Sequence, residues 1–378
     1  MKIELNLQVA EAVQHQIERA MRLRIQNGEL APQQRIPSTN ELVRQWHVGR
    51  GAVQRAMATL ADEGWIERKP MRGTFVKSPT QPSCIGVLFR AALAEENAHF
   101  QRAVFHGIST EISKLTDSSW TCRAYDGLSD LDSSQDFARS RAFQHLANDL
   151  KNYPFAGFIQ ILGRLASAKV ATMTKDLPVA RFGPPSDPLT DVTLDYAGFG
   201  RASVERMAGS GRRKLVYFRA MDDMTSGGLD VQGIEQAARE LKLPPVRMIQ
   251  LRYESRSGPI EQAAYEQMLA AIEDWTKHGL CPQGLIVSDD GVMRGVAMAL
   301  VRKGITVEPI NDSPKTDSAN LAVMAMTNEG INYWYGIPVF RQEFSPGQIA
   351  CELLRALQGR IQKKKPPVLP VKIACAPR

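Results

Sequence analysis

Arg50 and Gln54 stand one helical turn apart in VGRGAVQRAMATLADEG, residues 48–64. A guanidinium can grip O6 and N7 of guanine with two hydrogen bonds, and a carboxamide can do the same at N6 and N7 of adenine. These two side chains in the first turns of one helix therefore suit the reading of base edges in a major groove. Gly51 and Ala52 beside them let the backbone approach closely. Ser38, with the amides of the helix it opens, suits a phosphate oxygen. Arg72, near the tip of a later basic hairpin, would reach adjacent phosphates or the minor groove; a simply solvated loop tip is the plainer alternative. Arg35, Thr39, Asn40, Arg55 and Gly73 complete the expected interface.

Such side chains need a scaffold. Val9, Val13, Ile17, Met21 and Ile25 recur every four residues, one apolar face of a first helix, which Asn27-Gly28 should end. Ser38 is a good N-cap for a second helix, and Glu41 completes a capping box. The Val48-Gly49 turn separates it from a third helix that runs to Glu63, with Gly64 as its stop. WIER and GTFV, joined by KPMR, read as a hairpin. Residues 1–78 hold 12 Lys+Arg against 8 Asp+Glu, whereas the remaining 300 hold 35 against 32. The excess is concentrated in the first fifth of the chain, where a polyanion would be met.

The polar segment KSPTQPS, residues 77–83, reads as a linker. Beyond it the pattern alternates. CIGVLF, WTCRAY, FAGFIQIL, PVARF, DVTLD, KLVYFRA, PVRMIQL, GLIVS and LAVMAM read as strands. Helical stretches fall near 97–115, 134–151, 164–176, 196–209, 229–241, 259–278, 290–303 and 345–363. Continuous apolar strands alternating with helices indicate parallel sheets covered on both faces. Nearly 300 residues of this kind fit two doubly wound lobes sharing a cleft better than one sheet. KKKPP at 363–367 reads as a solvated helix end.

The rest of the composition narrows the classes. Apolar residues at 43% and charged residues at 23% fit a globular protein of two or three domains. Five scattered cysteines without C-x-x-C spacing argue against a disulfide framework or a zinc knuckle, and for a reducing compartment. No signal peptide and no membrane-spanning run is read, so a cytoplasmic protein without a membrane partner is expected. The six histidines show no H-E-x-x-H or H-x-x-E-H spacing, and no G-x-S-x-G elbow or phosphate-binding G-x-x-x-x-G-K-[ST] loop occurs. An enzyme, a cofactor or a metal is not expected.

Residues 7–76 resemble the winged helix-turn-helix of the GntR family. NGEL before P-x-x-R-I-P-S, V-x-R-x-x-V at the third helix, L-x-x-E-G-W after it and R-G-T-F-V in the wing carry the resemblance together. By position, Ser38, Arg50 and Gly73 match the family's DNA-contacting pattern, while Asn40 and Gln54 stand where arginine is common. Residues 84–375 resemble the effector domain of LacI/GalR regulators, on CIGVLF, LDYAGFGRASVERMAGSGRRKLVYF, GLIVSDDGVMRGVAMALVRKGITV and IPVFRQEFSPGQIACELL. The pairing is that of arabinose-type repressors.

The resemblance implies an α/β architecture: a winged helix-turn-helix at 1–76, a linker at 77–83 and a two-lobed, doubly wound parallel-sheet effector domain at 84–378. It also implies a homodimer on double-stranded operator DNA, controlled by a small-molecule effector such as a sugar or related metabolite. Asp230 stands where the family's sugar-binding arginine lies, and Ala325-Met326-Thr327-Asn328 replaces its G-[FY]-D-D, so a simple aldose is not implied. Candidate effector contacts at strand ends are Arg90, Phe100, Gln160, Arg181 and Arg219. Asp195, Asp289 and Asp290 could line the cleft or cap the helices that follow them, and Asp230 and Thr327 are placed by the resemblance. The competing readings are a GntR-type regulator with a non-sugar, metal-binding or absent effector, and an enzyme with a DNA-binding head.

Overall fold

The computed structural model describes residues 12–26, 29–31, 33–69, 72–77, 84–90, 92–95, 98–115, 120–128, 141–161, 168–220, 223–253, 259–310, 320–364 and 369–378. The expected helix start at Val9, its Asn27-Gly28 stop, most of the linker, the KPMR tip residues 70–71 and the first turns near 134 lie outside them. The chain divides into two compact units. One is Met1–Ile85 with Ile112–Arg123 and Asn148–Ala156; the other is Gly86–Glu111 with Ala124–Ala147 and Gly157–Arg378.

The first unit opens with three helices, α1 (Val13–Gln26), α2 (Thr39–Trp46) and α3 (Arg50–Asp62). Ile17, Met21 and Ile25 of α1 meet Leu42 and Trp46 of α2 and Val53, Ala56, Met57 and Leu60 of α3 in one buried cluster. His47 takes the left-handed conformation at φ 53° and turns the chain sharply between α2 and α3. Three short strands, β1 (Arg35–Ile36), β2 (Ile66–Lys69) and β3 (Gly73–Val76), form an antiparallel sheet with β3 in the middle. Trp65 and Ile66 bury the base of this wing against the helices.

The Ser38 capping box orients α2. The Glu41 amide donates to the Ser38 hydroxyl oxygen at 3.4 Å, and the Ser38 amide and hydroxyl donate back to the Glu41 carboxylate at 2.7 and 2.8 Å. Ser38→Ala is expected to destabilise the head by about 1 kcal/mol, with Ser38→Asp retaining most of the stability. Thermal melting of the two variants against the parent checks this; equal melting of all three would remove the cap from the account.

The remaining chain builds two sheets. The first takes β4 (Cys84–Phe89), β5 (Thr121–Tyr125), β6 (Phe155–Ile161), β7 (Val179–Phe182) and β8 (Val192–Leu194), with α4 (His99–Ser113), α5 (Arg141–Asn152) and α6 (Ala168–Thr174) between them. The second takes β9 (Leu215–Arg219), β10 (Arg247–Gln250), β11 (Gly284–Val287), β12 (Val307–Glu308), β13 (Leu321–Asn328) and β14 (Phe340–Phe344). Its helices are α7 (Tyr196–Gly209), α8 (Asp223–Ser226), α9 (Leu229–Glu240), α10 (Ile260–His278) and α11 (Asp290–Arg302). After α12 (Pro346–Ile361), β15 (Val371–Ile373) and β16 (Ala376–Pro377) end the chain. The sheet orders are β15-β8-β7-β6-β4-β5 and β10-β9-β11-β13-β14-β16. The described pairs within them are parallel except β14 with β16. β4, β9 and β11 are buried along their whole length, which is why they read as unbroken apolar runs.

Three passages join the two lobes. The chain leaves the first sheet after β8 to enter α7, returns after β14 into α12, which packs on β7, β8 and β15, and leaves again between β15 and β16. In each sheet the first strand has its successors on opposite sides, so a crevice opens at the carboxyl ends beside β4 and beside β9. Close helix packing fixes those ends. A Cβ on Gly233 of α9 would collide with the Ala197 carbonyl of α7, and one on Gly295 of α11 with the Glu261 carbonyl of α10. The first turns of α10 and α11 are thereby held against each other.

Candidate nucleic-acid interface and ligand cavity

All the residues expected to face DNA lie in the first unit. Arg50, Gly51 and Gln54 are exposed on the first turns of α3, and Ala52 is half-buried. Arg55 is different. Its Nε donates to Gln14 Oε1 at 2.9 Å, which ties the guanidinium back to α1. Thr39 and Asn40 occupy the start of α2, behind the capped Ser38. The Ser38 hydroxyl is engaged by Glu41, so a phosphate there would meet the helix amides before the side chain. Arg72 is exposed in the wing turn. Gly73 has φ 108°, and a Cβ there would stand 3.1 Å from Arg35 Nε, so the glycine makes room for Arg35 beneath the wing.

In the second unit a cavity of about 240 Å³ collects residues from both lobes. His99, Phe100 and Gln101 come from the start of α4, Phe182 from the end of β7, and Leu194 and Tyr196 from the first passage between lobes. From the other side come Ile260 and Glu261 of α10, Asp289, Asp290 and Gly291 at the start of α11, and Met326, Asn328 and Tyr333 from β13 and the loop after it. Phe100 and Phe182 meet at a 43° tilt with 5.6 Å between centroids, and His99 meets the Tyr333 ring edge-on at 5.5 Å. Carboxyl ends of parallel strands and helix N-termini thus converge from two sheets, the usual position of a ligand in such folds.

Of the sequence-derived effector candidates, Phe100, Asp289 and Asp290 line this cavity. Lining and capping proved compatible for Asp289: Oδ1 accepts from the Val292 amide at 3.0 Å and caps α11. Asp290 Oδ2 accepts from Asn328 Nδ2 at 3.0 Å. Burial, and then the neighbouring Asp290 carboxylate, push Asp289 above the ordinary carboxylate range. Burial also raises Asp290, against the opposing hydrogen bond from Asn328.

The structure does not bring the other candidates to the described cavity wall. Asp195 caps α7 through the Gly198 amide at 3.1 Å, and its own amide is bound by the Ile373 carbonyl at 2.8 Å. Arg90 is exposed just after β4, and Gln160 is buried within β6. Arg181 is half-buried on β7, where burial and the nearby Arg360 lower its affinity for a proton. Thr327 is buried on β13 between the two wall residues Met326 and Asn328, on the opposite strand face. Arg219 and Asp230 are buried and joined to each other: Nε to Oδ2 at 2.7 Å and Nη2 to Oδ1 at 3.0 Å. Tyr217 and Ser226 also donate to Asp230, at 2.8 and 2.6 Å. The group at the position of the family's ligand arginine is therefore spent inside its own lobe.

Glu261, Tyr196 and Tyr333 are not singled out in the sequence, and Asn328 is named there only as the last residue of Ala325-Met326-Thr327-Asn328. The signals were present in outline: Glu261 follows Pro259 at a helix start, and Tyr333 belongs to the aromatic run NYWY shortly after a late strand. Among the described residues no helix is long and apolar enough to cross a membrane.

Residues 13–76 match the family of bacterial regulatory proteins, gntR family. The HTH-type transcriptional repressor NagR of Bacillus subtilis is 35% identical over 77 residues, 20% of this chain and 32% of that protein. The arabinose metabolism transcriptional repressor of Halalkalibacterium halodurans is 31% identical over 93 residues, 24% of this chain and 25% of that protein. The chain thus spans less than a third of the length of either relative. The lac repressor dimer bound to operator and the anti-inducer ONPF superposes with a TM-score of 0.56 at 13% identity, over 79% of this chain and 93% of that one. The N-terminal segment is a GntR-type helix-turn-helix, and the body has the two-lobed fold of LacI-type repressors.

Proposed function

We propose that this union of a GntR-type head and a LacI-type body is a DNA-binding transcriptional regulator, a repressor, whose operator affinity is set by a small molecule held between the lobes. The observation that carries the reading is the exposure of Arg50 and Gln54 at the start of α3, within the segment that matches the gntR family. The proposed division is a DNA-binding domain at 1–76, a linker at 77–83 and an effector domain at 84–378. The protein acts as a homodimer in the cytoplasm, since two heads on a two-fold operator double the contacts available to one. It is a regulator without a reaction of its own. The likeness of the body to the lac repressor is a likeness of fold, so the effector has to be argued from the cavity.

Closure of the lobes on the effector would move the passages that join them and bias the placement of the paired heads. Reciprocity then requires operator to change effector affinity by the factor by which effector changes operator affinity. Selection of sheared genomic DNA on the purified protein at near-physiological salt tests the proposal. A few two-fold symmetric sites are expected to be enriched. Uniform recovery that disappears with modest added salt would reduce the head to an electrostatic binder.

A further inference from the structure

We propose that the effector carries a protonated amino group. The inference rests on reading the cavity as the effector site and adds the charge of its occupant. Glu261, Asp289 and Asp290 line the space, and no lysine or arginine does so among the described lining residues. Glu261 is balanced from behind. Arg294 Nη1 donates to it at 3.0 Å, and the same guanidinium lies 5.1 Å from the Tyr333 ring centroid. Asp289 and Asp290 have no ion pair among the described residues; the Val292 and Gly291 amides and the Asn328 carboxamide donate to them, and the His99 ring stands near Asp290. Two adjacent carboxylates, taken partly out of water, favour a positive charge in the space they face.

The rest of the wall fits the same guest. Phe100, Phe182, Tyr196 and Tyr333 present aromatic surface, whose electron-rich faces attract a cation. Gln101 Oε1 is buried on this wall without a hydrogen-bond partner among the described residues, an acceptor suited to an N–H donor. An anionic metabolite would meet three acidic side chains, of which the described residues pair only Glu261, through Arg294. A neutral polyol could bond to the carboxylates but would leave their mutual repulsion in place. The described residues contain no group of three ligands arranged to hold a metal ion, and the aromatic wall suits an organic cation. At about 240 Å³ the cavity falls below the ~300–1,000 Å³ typical of pockets for drug-sized ligands, so the guest is a small metabolite.

The test compares D-glucosamine with D-glucose and D-glucuronate, which share a pyranose ring and differ in charge, and adds putrescine as an amine without the ring. Melting and calorimetric titration of the full chain are expected to show binding of at least one amine, tighter than that of glucose and glucuronate. Asp290→Asn is expected to weaken the amine about tenfold or more, equivalent to ~1.4 kcal/mol. Asp289→Asn should do the same while still capping α11, because a carboxamide oxygen also accepts from Val292. Silence from both amines overturns the proposal, as does amine binding indifferent to both substitutions. Binding of glucose or glucuronate as tight as the amines, and lost in Tyr333→Ala, would overturn the cation while leaving the cavity standing as the effector site.

Discussion

Asp230→Ala is expected to lower the stability of the body by about 3–5 kcal/mol, because it removes one partner of a buried ion pair and strands the other. Arg219 would keep its charge inside the lobe, where Ser226 and Gln250 also accept from it but carry no countercharge, and the Tyr217 hydroxyl would lose the oxygen it now serves. The pair itself need not be a large net stabiliser, since desolvating two charges offsets much of their attraction. The double variant Arg219→Met with Asp230→Leu is accordingly expected to recover most of the loss. Burial alone would raise the Asp230 carboxyl, but hydrogen bonds from Arg219, Ser226 and Tyr217 outweigh it and hold it below the ordinary aspartate range. Its stabilisation is therefore present above the unfolded carboxyl's value of about 3.9 and is lost as the pH falls through the lowered folded value. Calorimetric melting at neutral pH and again under acid reads both effects. A single variant as stable as the parent, or a double variant no better than the single, would remove the pair from the structural account.

The same pair shows where sequence reading stops. Arg219 at a strand end and Asp230 early in a helix both carry the residue types of a ligand site, and a one-dimensional pattern cannot show that they point at each other. The strands and helices were legible because burial on both faces writes itself as continuous apolar runs, as in β4, β9 and β11. β12, β14 and the last two strands were not. β15 and β16 are mostly exposed, three and two residues long, and owe their place to backbone pairing with β8 and β14 rather than to any apolar run. The cavity was legible in part. Asp289 and Asp290 follow a strand that the pattern reveals, whereas Glu261 and Tyr333 join them through the packing of α10 on α11 and the course of a loop, neither of which has a local signature.

In the head, by contrast, the residue types and their spacing single out α3 as the proposed base-reading helix, and the structure separates two of its basic side chains. Arg50→Ala is expected to weaken binding to the selected operator by about 1–3 kcal/mol, the discrimination carried by one bidentate contact to a base pair. Arg50 is exposed on the first turn of α3, and its guanidinium is bound by no described residue, so the head gives up no internal bond when the side chain is lost. Arg55, only five residues on, is held by Gln14 at 2.9 Å and must break that bond to reach a base. Arg55→Ala should therefore weaken the operator less than Arg50→Ala, and part of its effect should appear as lost packing of α3 on α1. On random DNA the Arg50 variant should lose far less than on operator, because the phosphate contacts proposed for Arg35, Arg72 and the start of α2 would persist and carry the salt-dependent part. Titrations of both variants on operator and random duplexes at two salt concentrations separate these terms. An equal loss on both duplexes, with a shallower salt slope, would make Arg50 a phosphate contact and move base reading to Gln54 or the wing.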